Sequence, residues 1–380
     1  MLVNIAGRLL ENLRPGDTVA RLSGDEFIVL LEDIADKEEA TQLAERLAEH
    51  LQVPLKLRDQ EIHLTASIGI SLGYYSDDRP EDLLRNADVA MYRAKNRGKA
   101  GYRVFDVAMD AEARERLSLE SDLRYAIEHN ELAVHYQPKV LLETGEVVGF
   151  EALVRWNHPQ RGMVSPLKFI PLAEESGLIH RIGIWVLRES CKQAREWREQ
   201  NASSAFASMC VNLSAKQLQH PNLVQDVTQI MRESAVEEQL LCLEITESVA
   251  MDDVHSNIET LNALKNIGIE LSIDDFGTGY SSLAYLNRLP VDHLKIDRSF
   301  VNELGNGSEA ESIILGTIQL AHALNMQVTA EGVETVAQLE QLRDMGCDLA
   351  QGFYFSKALS SVDASRYLLG ASLSRPFEIS

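Results

Sequence analysis

The sequence lacks an apolar run long enough to cross a lipid bilayer, which takes about 20 residues. Its longest uncharged stretch, residues 312–330, is interrupted by Gln319, His322, Asn325 and Gln327. The N-terminus shows no basic segment followed by an apolar core, so we expect no signal peptide. These absences favour a cytoplasmic protein without a membrane segment in this chain, although a longer parent protein could be attached to a membrane through an N-terminal region.

Cysteine and basic residues are also scarce. The four cysteines are scattered, and three of them lie in apolar stretches typical of buried positions, so the sequence offers no disulfide framework. Lysine and arginine number 36 against 58 aspartates and glutamates, which makes the formal net charge −22. That balance argues against binding of long nucleic acids and of anionic lipid. A small anionic ligand remains compatible with it if metal ions or local basic residues offset the negative field.

A length of 380 residues with 45% hydrophobic residues predicts a globular protein of two domains. In the first 106 residues, periodicity predicts helices at 2–13, 37–51 and 80–95 and strands at 18–22, 27–31, 62–72 and 102–105. A charged helix over 108–130 joins this region to the rest of the chain. Ser23, Gly24, Asp25 and Glu26 predict a tight turn that carries two acids at the tip of a hairpin.

Two motifs connect this region to a known family. Residues 21–27 (RLSGDEF) and 87–95 (ADVAMYRAK) resemble a GGDEF (diguanylate cyclase) domain in its Ser-Gly-Asp-Glu-Phe form. The resemblance covers roughly residues 1–105. It implies that the turn meets a nucleotide through backbone amides, that an acid there binds metal and that Lys95 and Lys99 meet phosphates. GTP is therefore a candidate ligand of this region.

A complete GGDEF domain begins with a strand that carries a metal-binding aspartate, followed by a helix with guanine- and phosphate-contacting residues. This chain starts after both, so we expect Asp25 and Glu26 to be catalytically idle and the partial domain to be regulatory or vestigial. Arg14 and Asp17, in R-x-x-D spacing, resemble the family's inhibitory product-binding site. A bifunctional cyclase and phosphodiesterase stays an alternative if a longer parent protein supplies the absent segment.

From residue 132 the pattern changes to strands that alternate with helices. Apolar β-runs are predicted at 132–136, 147–154, 206–213, 241–245, 269–273, 293–296, 327–330 and 349–355. Helical stretches are predicted between most of them, at 168–176, 180–200, 221–234, 253–267, 280–287, 308–325 and 335–345. Eight such strands over about 240 residues predict a TIM-like (β/α)8 barrel, whose chemistry gathers at the carboxyl ends of the strands. The predicted fold class is α/β: a partial GGDEF-type α/β sandwich, then this barrel.

Polar side chains mark the predicted strand ends. Asp274 and Asp275 follow an apolar run directly and precede a loop with Gly277 and Gly279. Adjacent carboxylates raise each other's pKa unless a cation lies between them, and such hard oxygen ligands suit Mg²⁺ or Mn²⁺. The other strands contribute comparable polar residues, namely Glu151, Asn212, Glu244, Lys295, Glu331 and Gln351.

Each of these residues has a structural explanation when taken alone. Aspartate and glycine are common in turns, and Arg155 could pair with an acid at the barrel rim. Polar or charged residues on seven strands around one barrel mouth are harder to explain in this way, because burying so many charges without a cation is expensive. We therefore favour a metal site. The histidines show no ligand spacing, and we interpret His158 and His180 as loop or rim residues.

The combined pattern resembles EAL domains, the phosphodiesterases of cyclic di-GMP, over roughly residues 115–370. The resemblance rests on residues 136–138 (YQP), 151–156 (EALVRW), 169–174 (FIPLAE), 244–247 (EITE), 274–279 (DDFGTG) and 330–334 (AEGVE). It implies that the first barrel strand is antiparallel to the others and that the EAL domain forms a homodimer. The predicted organisation is a partial GGDEF domain at 1–106, a linker helix at 107–120, an EAL domain at 121–370 and a C-terminal tail at 371–380.

The resemblance also assigns roles to individual residues. It implies metal ligands at Glu151, Asn212, Glu244, Asp274, Asp275 and Glu331. It implies catalytic roles for Lys295, Glu331 and Glu151 and substrate contacts for Gln137, Arg155 and Gln351. Glu247 is expected to hold the loop that contains Gly277 and Gly279.

These assignments predict hydrolysis of cyclic di-GMP to linear pGpG with two bound Mg²⁺ or Mn²⁺ ions. The other hypothesis is a cyclic di-GMP receptor without catalytic activity, which would require the loss of a metal ligand or of Lys295. Because none of the catalytic positions is replaced, we favour the enzyme.

Overall fold

The computed structural model describes residues 1–57, 60–62, 64–73, 79–96, 101–200, 206, 208–251, 254–278, 286–305 and 309–370. The chain divides into two compact units, Met1–Leu119 and Glu120–Ser380. Over these described ranges, no helix combines the length and the apolar character that crossing a membrane requires.

The first unit builds small sheets beside helices. Its elements are α1 (Leu2–Glu11), β1 (Thr18–Ser23), β2 (Glu26–Leu30), α2 (Lys37–Gln52), β3 (Leu55–Leu57), β4 (Gln60–Ile62), β5 (Ser67–Ile70), α3 (Pro80–Asn96), β6 (Gly101–Val104) and the start of α4 (Val107–Glu128). β1 pairs with β2 and β3 with β4 in antiparallel fashion, whereas β5 and β6 are parallel. Leu9, Leu47 and Leu51 form a buried cluster onto which Phe27 and Ile68 pack.

One strand of this unit differs from its prediction. The predicted strand 62–72 is only β5, Ser67–Ile70, and residues 60–62 pair instead with 55–57 in a hairpin that the sequence did not predict. The hairpin escaped prediction because charged and polar residues such as Lys56 and Glu61 interrupt its apolar positions, which weakens the strand signal.

The second unit alternates strands and helices. Its elements are β7 (Leu132–Leu141), β8 (Val147–His158), β9 (Gly162–Val164), α5 (Pro166–Ser176), α6 (Leu178–Gln200), β10 (Ser208–Asn212), α7 (Ala215–Leu218), α8 (Leu223–Ser234), β11 (Leu241–Thr246), α9 (Glu247–Met251), α10 (Val254–Asn266), β12 (Glu270–Phe276), β13 (His293–Ile296), α11 (Arg298–Asn302), α12 (Glu309–Ala323), β14 (Gln327–Ala330), α13 (Val336–Asp344), β15 (Leu349–Ala350) and α14 (Ser361–Gly370).

Eight of these strands close into a barrel. The hydrogen-bonded order runs β10, β11, β12, β13, β14, β15, β7, β8, and β8 pairs back with β10. β7 is antiparallel to both of its neighbours, which confirms the irregularity expected of the first strand. The short β9 extends the sheet beside β8. Strands such as β11 are buried along nearly their whole length, as expected where helices cover a parallel sheet.

One barrel strand differs from its prediction. The predicted strand 349–355 ends at Ala350, because Gly352 packs so closely on Val333 that a Cβ there would lie 2.1 Å from the carbonyl oxygen of Val333. The apolar run beyond it is a turn in which Phe353 faces solvent and Phe355 is buried. Most of the helix predicted at 280–287 lies outside the described residues.

Candidate active site

Lys295 lies at the centre of a group of carboxylates inside the barrel. β13 buries this side chain completely. Its Nζ lies 2.6 Å from Glu244 Oε2, 2.7 Å from Glu331 Oε1, 3.2 Å from Asp274 Oδ1 and 3.4 Å from Glu151 Oε2. Burial lowers the pKa of Lys295, but the four carboxylates raise it further, so that it lies well above its ordinary value. The lysine therefore carries a positive charge among these acids.

Glu151 is held by hydrogen bonds on both of its oxygens. Asn212 Nδ2 donates to Oε1 at 2.7 Å, and Gln351 Nε2 donates to Oε2 at 2.7 Å. Gln351 Nε2 also lies 3.0 Å from the Oε1 of Gln137. Burial raises the pKa of Glu151, but Lys295 and the two amide donors outweigh it and leave the pKa below its usual value. The carboxylate is thus fixed in position in its ionised form.

Strand register explains why these residues meet. The antiparallel pairing of β7 with β8 places Gln137 opposite Glu151, and the parallel pairing of β10 with β11 places Asn212 beside Glu244. Glu151 pairs with Cys210 of β10, and Asn212, two positions further along, lies on the same face of that strand and reaches Glu151 with its side chain. Residues that are far apart in sequence are brought together in this way.

The two adjacent aspartates depend on an irregular strand end. Neighbouring residues of a regular strand point to opposite faces. Here the pairing of β12 with β13 shifts register between Ile273 and Phe276, and Asp275 adopts a left-handed backbone conformation with φ 55°. As a result, oxygens of Asp274, Asp275 and Glu331 all lie within 4.8 Å of one another. Bulges and left-handed residues of this kind concentrate at functional sites.

The three acids match the chemistry of a divalent metal site. Burial, followed by the neighbouring Asp274 and Asp297, raises the pKa of Asp275. Burial also raises the pKa of Glu331 to about 7, although Lys295 opposes that rise. Carboxylates that resist ionisation beside one another are relieved by a cation, and three oxygen donors at this separation suit Mg²⁺ or Mn²⁺. The residues present therefore fit a divalent ion.

The loop after Asp275 is tied to the barrel by a buried acid. Glu247 Oε2 accepts a hydrogen bond from the backbone N–H of Gly277 at 2.8 Å. Gly277 has φ +97°, and a Cβ there would lie 2.9 Å from the ring of Phe300. Only glycine fits this position without strain. Gly279, the second glycine predicted for this loop, lies outside the described residues.

Arg155 and Lys139 lie beside this centre. Arg155 is half-buried and its Nη1 donates to the carbonyl oxygen of Val154, while burial lowers the pKa of its guanidinium and Glu151 raises it. Sequence reasoning missed Lys139, whose buried Nζ lies 3.0 Å from Cys210 Sγ and 3.8 Å from Glu244 Oε1. A lysine in the apolar run of β7 was the available signal, because lysine is rarely buried without a partner.

The residues predicted for nucleotide binding in the first unit lie on its surface. Ser23, Gly24, Asp25 and Glu26 are exposed at the end of the β1–β2 hairpin, where Ser23 Oγ donates to Glu26 Oε2 at 3.2 Å. Lys95 is exposed near the end of α3, and Lys99 lies outside the described residues.

The predicted inhibitory pair also lies in the first unit. Arg14 Nε contacts Asp17 Oδ1 at 3.4 Å, and its Nη1 contacts Glu39 Oε1 at 3.0 Å. Its guanidinium is therefore engaged by acids of its own unit.

Known proteins resemble both parts of the chain. The model of the EAL domain matches residues 120–358, and that of the diguanylate cyclase GGDEF domain matches residues 1–101. The chain is 46% identical to a solved structure described as PaMucR phosphodiesterase in complex with c-di-GMP, with a TM-score of 0.62. That match covers 65% of this chain and 99% of the other.

Two proteins of Pseudomonas aeruginosa are similar over most of this chain. The bifunctional diguanylate cyclase/cyclic di-GMP phosphodiesterase MucR is 45% identical over 94% of this chain and 52% of its own length. The cyclic di-GMP phosphodiesterase NbdA is 39% identical over 97% of this chain and 47% of its own length. The chain thus spans about half the length of these relatives. With a matched domain over more than half of its residues and a closed barrel whose first strand is antiparallel, the chain belongs to the EAL domain family.

Proposed function

We propose that this chain hydrolyses cyclic di-GMP to linear pGpG with the aid of two divalent metal ions at the barrel mouth. The observation that carries the proposal is the convergence of Asp274, Asp275 and Glu331 beside the buried ion pairs of Lys295. The substrate class follows from the relatives, because MucR and NbdA are named for cyclic di-GMP hydrolysis and the similar solved structure holds c-di-GMP.

The metal ligands in this proposal are Glu151, Asn212, Glu244, Asp274, Asp275 and Glu331. When bound, the two ions supply an activated water and stabilise the charge that develops on the leaving 3′ oxygen. The protein's part is to keep these ligands in place before substrate arrives. Gln351 and Asn212 orient Glu151, and Glu247 fixes the loop that follows Asp275. Such positioning avoids reorganisation during the reaction.

Lys295, Glu331 and Arg155 are the charged side chains to which we assign individual roles. The Lys295 ammonium offers positive charge to the phosphoryl oxygens, which become more negative in the transition state. In the metal-free chain the pKa of Glu331 is raised to about 7, and a bound cation would hold this carboxyl in its ionised form as a ligand. Arg155 contributes a guanidinium that matches a phosphate of the substrate. These roles use every charged group that sequence reasoning placed at the site.

Product analysis tests the proposal. The chain is incubated with cyclic di-GMP in Mg²⁺, in Mn²⁺ and in EDTA, beside a Glu151→Ala control, and the products are separated by chromatography. We expect pGpG in both metals, no product in EDTA and none from the variant. Binding of cyclic di-GMP without turnover in every metal would instead support the receptor hypothesis.

The same samples test the bifunctional alternative. GTP replaces cyclic di-GMP, and the formation of any cyclic dinucleotide is followed. We expect none, because Asp25 and Glu26 lie on an exposed hairpin rather than in a convergent acid site. Metal-dependent condensation of GTP by this chain would contradict the assignment of the first unit as regulatory or vestigial.

A further inference from the structure

A second group of potential metal ligands lies outside the catalytic centre. His180 is in the first turn of α6, His220 is in the loop between α7 and α8, and Asp226 is in the first turn of α8. One ligand atom from each residue lies within 4.8 Å of the others. Their spacing in sequence, 40 and 6 residues, showed no ligand pattern, and His180 was interpreted as a rim residue. The fold brings the three together.

One separation between two of the ligand atoms is already close to that in a tetrahedral site. Zinc binds histidine nitrogen and carboxylate oxygen at about 2.0–2.2 Å, so neighbouring ligand atoms of a tetrahedral site lie roughly 3.4 Å apart. His180 Nε2 and Asp226 Oδ2 are 3.3 Å apart. The third ligand atom needs to move by no more than about 1.5 Å to reach the same spacing. All three side chains are partly buried, so they are restrained yet open to solvent ions.

An unpaired ring nitrogen of His180 also favours a ligand at this place. The buried Nδ1 of His180 has no hydrogen-bond partner among the residues that the structure describes. An unpaired buried nitrogen of this kind lowers the cost of turning the ring toward a ligand.

We propose that His180, His220 and Asp226 form a transition-metal site for Zn²⁺, with a water molecule in the fourth position. Two imidazoles and one carboxylate suit zinc rather than Mg²⁺, which prefers oxygen donors only. The site is therefore chemically different from the carboxylate-rich catalytic centre. The formal charge of −22 raises the local concentration of divalent cations over the surface.

Zinc binding requires a specific rearrangement of the rings. His180 and His220 lie stacked, with centroids 3.6 Å apart and planes inclined by 18°. The lone pairs of parallel rings do not converge on one ion, so the rings must turn apart when the ion enters. His220 Nδ1 also accepts a long hydrogen bond of 3.3 Å from the backbone N–H of Asn222, and that bond breaks if the ring turns. Loss of the stacking between the two histidine rings would therefore indicate that zinc has bound.

The site would act as a clamp within the second unit. It joins the start of α6 to α8, and it includes the loop that leads into α8. An ion that binds the folded chain and not the unfolded chain raises the free energy of unfolding by RT ln(1 + [Zn²⁺]/Kd), about 2.7 kcal/mol at 100 times Kd. Zinc availability would then set the stability of the second unit without entering the reaction.

Cobalt spectroscopy tests this site directly. The full chain is stripped with EDTA, exchanged into buffer with excess Mg²⁺ to compete at the carboxylate-rich centre, and titrated with Co²⁺. We expect one equivalent of Co²⁺ to develop the intense visible absorption of tetrahedral coordination, and Zn²⁺ to abolish it by displacement. In a separate titration with diamagnetic Zn²⁺, proton NMR should show changed chemical shifts for the ring protons of His180 and His220 as the stacked rings turn apart.

Three variants make the result specific. His220→Ala and the isosteric Asp226→Asn each remove one ligand and should weaken Co²⁺ binding by at least about 100-fold, since loss of even an outer hydrogen-bond partner costs 10–100-fold. His322→Ala is the matched control, because His322 Nε2 contacts Asp348 Oδ2 at 2.9 Å and no third ligand joins this pair among the residues that the structure describes. We expect that control to bind Co²⁺ as the unmodified chain does. Absence of the tetrahedral band in the unmodified chain, or its persistence in both ligand variants, would overturn the proposal.

Discussion

Each unit of the chain contains a pair of adjacent acids, and the two pairs have very different surroundings. Asp25 and Glu26 lie exposed at a hairpin end, and Glu26 accepts a hydrogen bond from Ser23 of the same turn. Asp274 and Asp275 lie half-buried at the end of a barrel strand, where residues of other strands contact them. Two adjacent acids in the sequence therefore do not by themselves form a candidate metal site.

The difference comes from what the rest of the fold supplies. A hairpin brings together only residues that are close in sequence, so its acids remain solvated. A closed barrel adds a side chain from each neighbouring strand at the same height. Lys295 and Glu331 reach Asp274 and Asp275 in this way, and the local dielectric falls with burial. The consequences can be tested by making the same change in both units.

Neutralising one acid of each pair should produce the largest contrast. Asp274→Asn removes a proposed metal ligand and a contact of Lys295, and we expect the hydrolysis rate of cyclic di-GMP to fall on the order of 10³-fold, the upper end of the effect of removing one charge-stabilising group. Asp25→Asn changes an exposed side chain of the other unit and should leave that rate unchanged. Both are measured as pGpG formation in excess Mg²⁺. Equal losses in the two variants would show that the hairpin acids take part in hydrolysis.

Removing one positive charge from each unit should show that a buried group of ion pairs contributes more to stability than a half-exposed one. Lys295→Met leaves four carboxylates without their shared cation, and we expect the free energy of unfolding of the metal-free second unit to fall by about 3–5 kcal/mol. Arg14→Met breaks an exposed pair with Glu39 and a longer contact of 3.4 Å with the buried Asp17 side chain, and because the Arg14 side chain is itself half exposed the change should cost less, about 1 kcal/mol.

Tryptophan fluorescence in urea measures the effect of Lys295→Met, and circular dichroism, which reports on both units, measures that of Arg14→Met. All three tryptophans, Trp156, Trp185 and Trp197, belong to the second unit, so their emission reports on the barrel alone. Lys295→Met should lower the urea midpoint of that signal, whereas Arg14→Met should leave it in place. An unchanged midpoint for Lys295→Met would mean that the carboxylates take up protons and neutralise themselves.

A glycine in each loop offers a smaller contrast. Gly277→Ala forces a side chain into φ +97° and against the Phe300 ring, so we expect a loss of about 1–3 kcal/mol and a slower reaction, because the loop after Asp275 is displaced. Gly24 has φ +47° with no atom within 4 Å of a Cβ. Gly24→Ala should therefore cost about 1 kcal/mol from backbone conformation alone, with unchanged hydrolysis.

Urea midpoints and pGpG formation are measured for both glycine variants. A hydrolysis rate for Gly277→Ala equal to that of the unmodified chain would show that the loop adapts, and that the hydrogen bond from Gly277 to Glu247 is dispensable for the reaction.

The barrel could be predicted from sequence because its strands are continuous apolar runs separated by helical periods. The predicted runs at 241–245 and 293–296 lie within or coincide with β11 and β13. The prediction of barrel strands was wrong where an apolar run does not form a strand. Residues 351–355 form a turn because Gly352 packs against the backbone of Val333, a long-range contact that no local pattern reveals.

The candidate site could be predicted in part for the same reason. Polar residues at the ends of apolar runs mark the barrel mouth, so Glu151, Glu244 and Glu331 were predicted to meet, and the structure brings them to the same lysine. Their individual roles stay predictions. The bulge that turns Asp274 and Asp275 toward one point was not predicted, since it arises from a register shift between two strands. Lys139 was missed because its partners come from other strands.

The raised pKa of Glu331 predicts how pH acts on the second unit. Because its pKa is about 7 in the folded chain and near 4.5 otherwise, the folded chain binds more protons between these values. The metal-free second unit should therefore lose stability as pH rises from about 5 to 7, by up to about 1.4 kcal/mol per pH unit. Bound metal should remove this loss of stability, because the ion takes the place of the proton on Glu331.

The same proton should oppose metal binding at low pH. Below pH 7 the ion must displace the proton from Glu331, so apparent Mn²⁺ affinity should fall by up to about tenfold per pH unit, and it should level off above that pH. Calorimetry at pH 6, 7 and 8 in buffers of different ionisation enthalpy measures both the affinity and the number of protons released. Glu331→Gln should bind Mn²⁺ more weakly and lose this dependence between pH 6 and 8. If the variant kept the full dependence, the proton would have to be assigned to another ligand, with Asp275 the first candidate, since burial and Asp274 raise its pKa as well.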